Sequence, residues 1–336
     1  MPRSRRIFYK NKLYEIVPRA REGLPLPPTE TSRQLLAGIY ARSQRDDKVI
    51  LCNMVDMNNH QHILAIPKEA NKFAKFYMEV QKKTTDSVKK LTGLAHLRLW
   101  ESRTGVTMAT ELEDAIGRHV YGFLNPVRAG LVDSIDNYPG LNSWQAFKSC
   151  PASVDATVTK KCYWTPPSAI GKLPEGNKLS AEEDRLMAQR LREHKKTVEH
   201  DLVFQPFKWL EIYGITEPEL IEAIRQRIIR TVYQEEEALR KKRSDNGASV
   251  IGIKALLESY YMMPHTPKKR PFSIWFVCSD KSKHPQLRAT KRGIDDECRR
   301  CFKLLQQGQD CEWPKGTFKP GLPPKELQPQ LNPGFV

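Results

Sequence analysis

His60 and His62 are separated by one residue and followed by the apolar run Ile63, Leu64, Ala65, Ile66. On a strand, residues i and i+2 project from one face, roughly 7 Å apart at Cα. Two neutral imidazoles at that spacing can converge on one divalent cation. Such a pair alone is weak, because most binds nothing. About sixty residues on, Tyr121 and Asn125 stand at i and i+4 in "YGFLNPVRAGLV" and share a helix face. A phenol of pKa ~10 is a poor nucleophile at neutral pH. It becomes useful beside a phosphate whose charge a metal neutralises. The Asn125 carbonyl oxygen suits a hard cation such as Mg²⁺ or Mn²⁺ as a third ligand. The plain alternative makes Tyr121 a core aromatic and Asn125 a helix cap before Pro126, and Asn125 could do both.

The elements that must position these groups follow from hydrophobic periodicity. Residues 12–17 alternate as a strand, and 31–46 read as a helix with Leu35, Leu36, Ile39 and Tyr40 inward. Segments 48–55 and 60–66 form two strands around a tight turn. The segment 68–91 is a helix with Phe73, Phe76, Tyr77 and Val80 as its stripe. Residues 97–106 read as a strand and 111–124 as a helix stopped before Pro126. The order β-α-β-β-α-β-α describes an α+β, ferredoxin-like split βαβ domain over 1–150, an antiparallel sheet with helices on one face. Residues 151–180, rich in Pro, Gly, Ser and Thr, read as a linker and 181–261 as a helical region. Its helix–SDNG–helix pattern is compatible with a helix-turn-helix, although an ordinary helical hairpin is commoner. Residues 262–336 form a basic region with a Pro-rich tail.

The chain of 336 residues carries a net charge of +16. Residues 1–150 hold 23 Lys+Arg against 15 Asp+Glu, and 262–336 hold 14 against 7, so two basic regions flank a nearly neutral middle. Such surfaces favour phosphate backbones through counterion release, although a merely soluble basic protein has the same composition. Arg19, Arg21, Lys72, Lys75, Arg128, Lys268, Lys269 and Arg270 are the candidate DNA contacts. For Lys72 and Lys75, a solvated helix face is an equal alternative. No apolar run is long enough for a membrane span, and the basic N-terminus lacks the apolar core of a secretory signal. Seven irregularly spaced cysteines exclude a disulfide framework and point to a reducing cytoplasm. Cys298 and Cys301 form a C-x-x-C that zinc could use, but it lies within an apparent helix and Cys278 and Cys311 are not paired around it. His119 projects away from Tyr121 and is expected at the surface or in packing.

"MNNHQHILAIP" followed by the Tyr-x-x-x-Asn helix and "NPVRAGLV" resembles the REP-associated tyrosine transposases, which are single-tyrosine HUH enzymes of bacterial mobile elements. The resemblance spans about residues 12–147 and includes "LRLWESR" and "NYPGLNSW". It departs from the family pattern at Gln61, which is usually hydrophobic and is expected on the opposite sheet face. The resemblance implies cleavage and rejoining of single-stranded DNA, next to hairpin or palindromic repeats. Tyr121 would form a 5′-phosphotyrosine, and His60, His62 and Asn125 would hold Mg²⁺ or Mn²⁺. It further implies a nucleoid-associated protein in that cytoplasm, and leaves a homodimer open. The alternatives are a catalytically inactive repeat-DNA-binding protein of the same fold, and a water-using phosphodiesterase with Tyr121 structural. Because the catalytic fold is expected to be complete by about residue 150, the later basic region is expected to add backbone affinity only.

Overall fold

The computed structural model describes residues 6–320 except 22, 48, 103 and 266–274. The N-terminal half contains β1 (Tyr14–Val17), α1 (Glu30–Asp47), β2 (Ile50–Asp56), β3 (Gln61–Ile66), α2 (Ala70–Thr92), β4 (Gly105–Ala109), α3 (Leu112–Arg128) and α4 (Trp144–Ser149). The remainder adds β5 (Val158–Trp164), α5 (Ala181–Glu193), β6 (Val198–Phe204), α6 (Pro218–Asp245), α7 (Ile253–Leu257), β7 (Phe276–Val277) and α8 (His284–Gln306). All seven strands join one mixed α+β sheet in the order β5-β6-β2-β3-β1-β4-β7. The central pairs β2–β3, β3–β1 and β1–β4 are antiparallel, whereas β6 joins β2 and β7 joins β4 in parallel.

Strand alternation sorts the apolar residues between two cores. Tyr14, Ile16, Ile63 and Ala65 face α1 and α2, meeting Leu36, Tyr40, Phe73 and Phe76. Leu13, Leu64 and Ile66 face the other way, toward Val120, Phe123, Leu124 and Val127 of α3. The expectation of helices on one face is therefore corrected: α1 and α2 share a face, and α3 covers the other.

α3 starts with a capping box in which Glu111 and Asp114 satisfy each other's backbone N–H. It does not stop before Pro126 but runs through it to Arg128. Proline removes one N–H and its intrahelical bond, yet the last turn closes through Ala129 N–H donating to Asn125 O and Leu131 N–H to Pro126 O. The buried stripe supplies the rest, so Asn125 lies within the helix and is not its cap. The strand expected over 97–106 begins only at Gly105; Trp100 makes a single bridge to Ala20.

The segment expected to be a linker contains β5, which pairs along its length with β6 at the sheet edge. Region 181–261 is likewise not all helical, since β6 lies within it. Nor does it form a helix-turn-helix: α7 is one short turn, and α6 lies along α3. Ile221, Ile228 and Val232 of α6 are fully buried in the α3-face core. Arg227 forms a two-pronged pair with Glu113 at 2.7 and 2.6 Å, and Glu236 accepts from the Ile135 backbone N–H at 2.7 Å. At the other end, Arg243 donates to the Val127 carbonyl at 2.9 Å. Residues 151–261 thus complete the core of the first 150. No helix among the described residues is long and apolar enough to cross a membrane.

Candidate functional site

The site lies on the α3 face of the sheet. His62 shares that face with Leu64 and Ile66, as the two-residue period demands. Gln61 is buried on the opposite face. The His60 and His62 rings lie edge to face with centroids 5.0 Å apart, and the Tyr121 ring of α3 meets His62 edge to face at 5.4 Å. Asn125 is nearly buried one turn further along, and its side-chain NH₂ donates to the Tyr121 carbonyl at 2.9 Å. That bond occupies the amide NH₂ and leaves the amide oxygen out of it.

Sequence reasoning missed the group that fixes His62. Glu15 sits on β1, opposite Leu64 in the register and diagonal to His62. Its Oε1 contacts His62 Nδ1 at 2.8 Å, and its Oε2 accepts from Arg118 at 3.1 Å. Burial would raise the Glu15 carboxyl, but the His62 hydrogen bond and charge, with Arg118 beside them, outweigh it and hold the group below its ordinary value. A carboxylate can only accept, so the His62 nitrogen that faces it, Nδ1, is the one that donates. The His62 Nε2 is buried and has no hydrogen-bond partner. A buried ring nitrogen without a partner is costly, and His119 and His200 each carry another such Nε2. The available signal was an acid on the Leu13 side of a strand that is otherwise apolar.

A ligating histidine held through its other nitrogen by a carboxylate is the usual arrangement around bound cations. His62 and His60 offer two borderline imidazole donors and Asn125 one hard carbonyl oxygen, a mixed set that fits a divalent cation in donor type. Among the described residues, no three or more His, Cys, Asp or Glu side chains group as a metal site. The cysteine candidates Cys278, Cys298, Cys301 and Cys311 therefore do not assemble for zinc, and all are free thiols.

The candidate DNA contacts divide by position. Arg128 lies over the Tyr121 ring, 5.2 Å from its centroid, and its guanidinium is 3.6 Å from Glu235. Arg19 pairs in antiparallel bridge geometry with His60, and Arg21 follows on the same loop. Arg118, missed from the sequence, flanks Tyr121 at 5.7 Å. Lys72 and Lys75 are on α2, across the sheet from Tyr121, and pair with Glu69 and Asp47. Lys268, Lys269 and Arg270 lie outside the described residues. His119 is fully buried and stacks on Trp209 at 4.5 Å; burial pulls its pKa down to about 4. It serves packing, one of its two expected roles.

No protein-family model matches the chain, and no curated protein does. Among solved structures it is similar to one described as a REP-associated tyrosine transposase bound to a REP hairpin. The two are 20% identical over 44% of this chain and 86% of that one, with a TM-score of 0.39. A likeness of that size assigns no activity or ligand.

Proposed function

We propose that this chain is a metal-dependent, single-tyrosine HUH nuclease and strand transferase acting on single-stranded DNA, beside hairpin repeats. The observation that carries the reading is Tyr121 packed against His62, whose buried Nε2 is left without a protein partner. The central order β2-β3-β1-β4, with α1 and α2 as crossovers on one face, supports a ferredoxin-like core within the larger sheet. His60, His62 and Asn125 would hold Mg²⁺ or Mn²⁺, which neutralises phosphoryl charge and orients the phosphorus.

The chain's own residues supply the rest. Tyr121 Oη attacks phosphorus, and the bond from phosphorus to the 3′ oxygen breaks. The phenol loses its proton to solvent, and the departing oxygen takes one to become a 3′-OH. The 5′-phosphate stays on Tyr121, so its bond energy is kept and a second 3′-OH can reverse the step without ATP. Arg118 and Arg128, 5.7 and 5.2 Å from the centre of the tyrosine ring, are placed to attract the phosphate. Glu15 holds His62 in the ligating tautomer. All these groups come from one chain, so the reading needs no second subunit.

The test is a covalent adduct on labelled single-stranded DNA, with Mn²⁺ or Mg²⁺. Wild type should yield a 5′-phosphotyrosyl species, and Tyr121→Phe should yield none while still binding the DNA. Cleavage by Tyr121→Phe would transfer the reaction to water. Binding with no adduct from wild type would favour a catalytically inactive DNA-binding protein of this fold.

A further inference from the structure

The chain between α6 and the segment 266–274 passes close to the site without joining it. At one end, the Ile251 and Gly252 N–H groups donate to the Gly130 and Leu131 carbonyls, just beyond α3, both at 2.9 Å. At the other, the Leu24 N–H donates to Met263 O and the Gly23 N–H to His265 O, both at 2.8 Å. That second tie lies on the loop that carries Arg19 and Arg21. Two side chains anchor the path. Leu256 is buried in the α3-face core, whereas Tyr261 is buried in the α1/α2 core, its hydroxyl against Thr29 and Ser32. A segment anchored on both faces must pass round the end of the sheet. His60, bridged to Arg19, marks that same end.

Between and beside the anchors the segment presents apolar side chains to solvent. Ile251 is 54% exposed, Ile253 43%, Leu257 36%, Tyr260 49% and Met263 42%. These are five of the twelve large hydrophobics exposed among the described residues, and the other seven are spread along the chain. Scattered exposed apolars are ordinary, whereas a run of them marks a binding surface. Ile253 and Leu257 stand at i and i+4, on one side of α7. Lys178 Nζ lies 5.2 Å from the Tyr260 ring centroid, and exposed Lys254 sits within the run. Arg128 borders the first tie and Arg21 the second.

Tyr260 is the aromatic among the five, with Lys178 over its ring, and the run holds one exposed lysine, Lys254, and one exposed acid, Glu258. An aromatic face beside lysines matches a strand with bases on one edge and phosphates on the other. We infer that residues 251–263 form a platform for unpaired bases of the DNA strand that enters the site. Tyr260 stacks on one base, and Ile253 with Leu257 covers its neighbour. The backbone runs toward Arg128 at one end and Arg19 and Arg21 at the other. The inference rests on the proposal that a DNA strand reaches Tyr121.

The experiment measures anisotropy of a fluorescent oligothymidylate with the full chain in EDTA, so that binding is read without metal or cleavage. Tyr260→Ala should weaken binding roughly 5- to 150-fold, the range for loss of one base–aromatic stack. Tyr260→Trp should restore it. The slope of log affinity on log salt should not change, because no phosphate contact is removed. Wild-type affinity in Tyr260→Ala overturns the platform and leaves the nuclease proposal standing. So does a loss accompanied by a shallower salt slope. A wild-type dimer on sedimentation that Tyr260→Ala dissolves gives the surface to a second copy and also overturns it. Failure of wild type to bind the oligonucleotide also overturns the platform, and the nuclease proposal is then judged by the adduct assay alone.

Discussion

Glu15→Gln is the sharpest probe of the site, because it changes one atom's chemistry and almost no volume. Glu15 accepts from His62 and from Arg118 through separate oxygens. A glutamine has one acceptor oxygen, and its other terminal group donates. Either His62 or Arg118 must then face a donor. Hydrogen bonds to a charged group contribute ~1.5–3 kcal/mol. Arg118 is 28% exposed and can turn to water, so its share is the smaller. His62 is only 4% exposed and cannot. If glutamine pairs with Arg118, His62 loses the bond that places its proton on Nδ1. The expected fall in metal affinity is 10- to 100-fold, or ~1.4–2.7 kcal/mol. Titration with Mn²⁺ followed by electron paramagnetic resonance reads this without DNA. Urea unfolding of the metal-free chain should show a separate loss of about 1–2 kcal/mol. Mn²⁺ affinity within twofold of wild type, alongside a clear loss in His62→Ala, would refute the argument that Glu15 positions the ligand.

Two further substitutions test the fold around the site. Ile228→Ala, on the fully buried stripe of α6, should cost about 2–5 kcal/mol in urea unfolding. A chain ending near residue 150 should fail to fold, because Phe123, Trp144 and Phe147 would lose the cover of α6; a soluble, cooperatively unfolding fragment would refute this. Asp56→Asn addresses pH. Burial pushes the Asp56 carboxyl up to about 8, whereas an unfolded aspartate ionises near ~3.9. Between these values the folded chain holds a proton that the unfolded chain releases. Stability therefore falls as pH rises, by at most ~1.4 kcal/mol per unit. The substitution should flatten that fall between about pH 5 and pH 8 in urea titrations, and an unchanged slope would place the linkage elsewhere.

The juxtaposition of His60 and His62 was legible because strand alternation is local: it depends only on residues two apart. Tyr121 and Asn125 were legible for the same reason at helical spacing, although Pro126 misled the helix end. Glu15 was not, because its partnership with His62 depends on the β1–β3 register, which no short window contains. β5 and β6 were hidden by their position. Thr159, Lys160 and Lys161 of β5 face solvent, and β6 carries Glu199 and Asp201 outward, so neither reads as an apolar strand. A charged edge strand such as β5 guards a sheet against pairing with other chains, and that function removes the hydrophobic signal by which strands are recognised. The docking of α6 on α3 depends on a contact more than a hundred residues distant.

The interleaving of late and early segments has a consequence for how the protein is made. β6 lies beside β2, β7 lies beside β4, and the Phe8 N–H donates to the Gly316 carbonyl at 2.9 Å. A ribosome that has just released His60, Tyr121 and Asn125 has not yet supplied the helix that braces α3 or the strands that flank the sheet. Contacts so far apart in sequence form slowly, because the intervening chain must be closed into a loop first. The emerging N-terminal half therefore waits with its apolar faces open, a state in which chaperones and proteases find it. The arrangement of His62 and Tyr121 is therefore braced only once synthesis has passed residue 245.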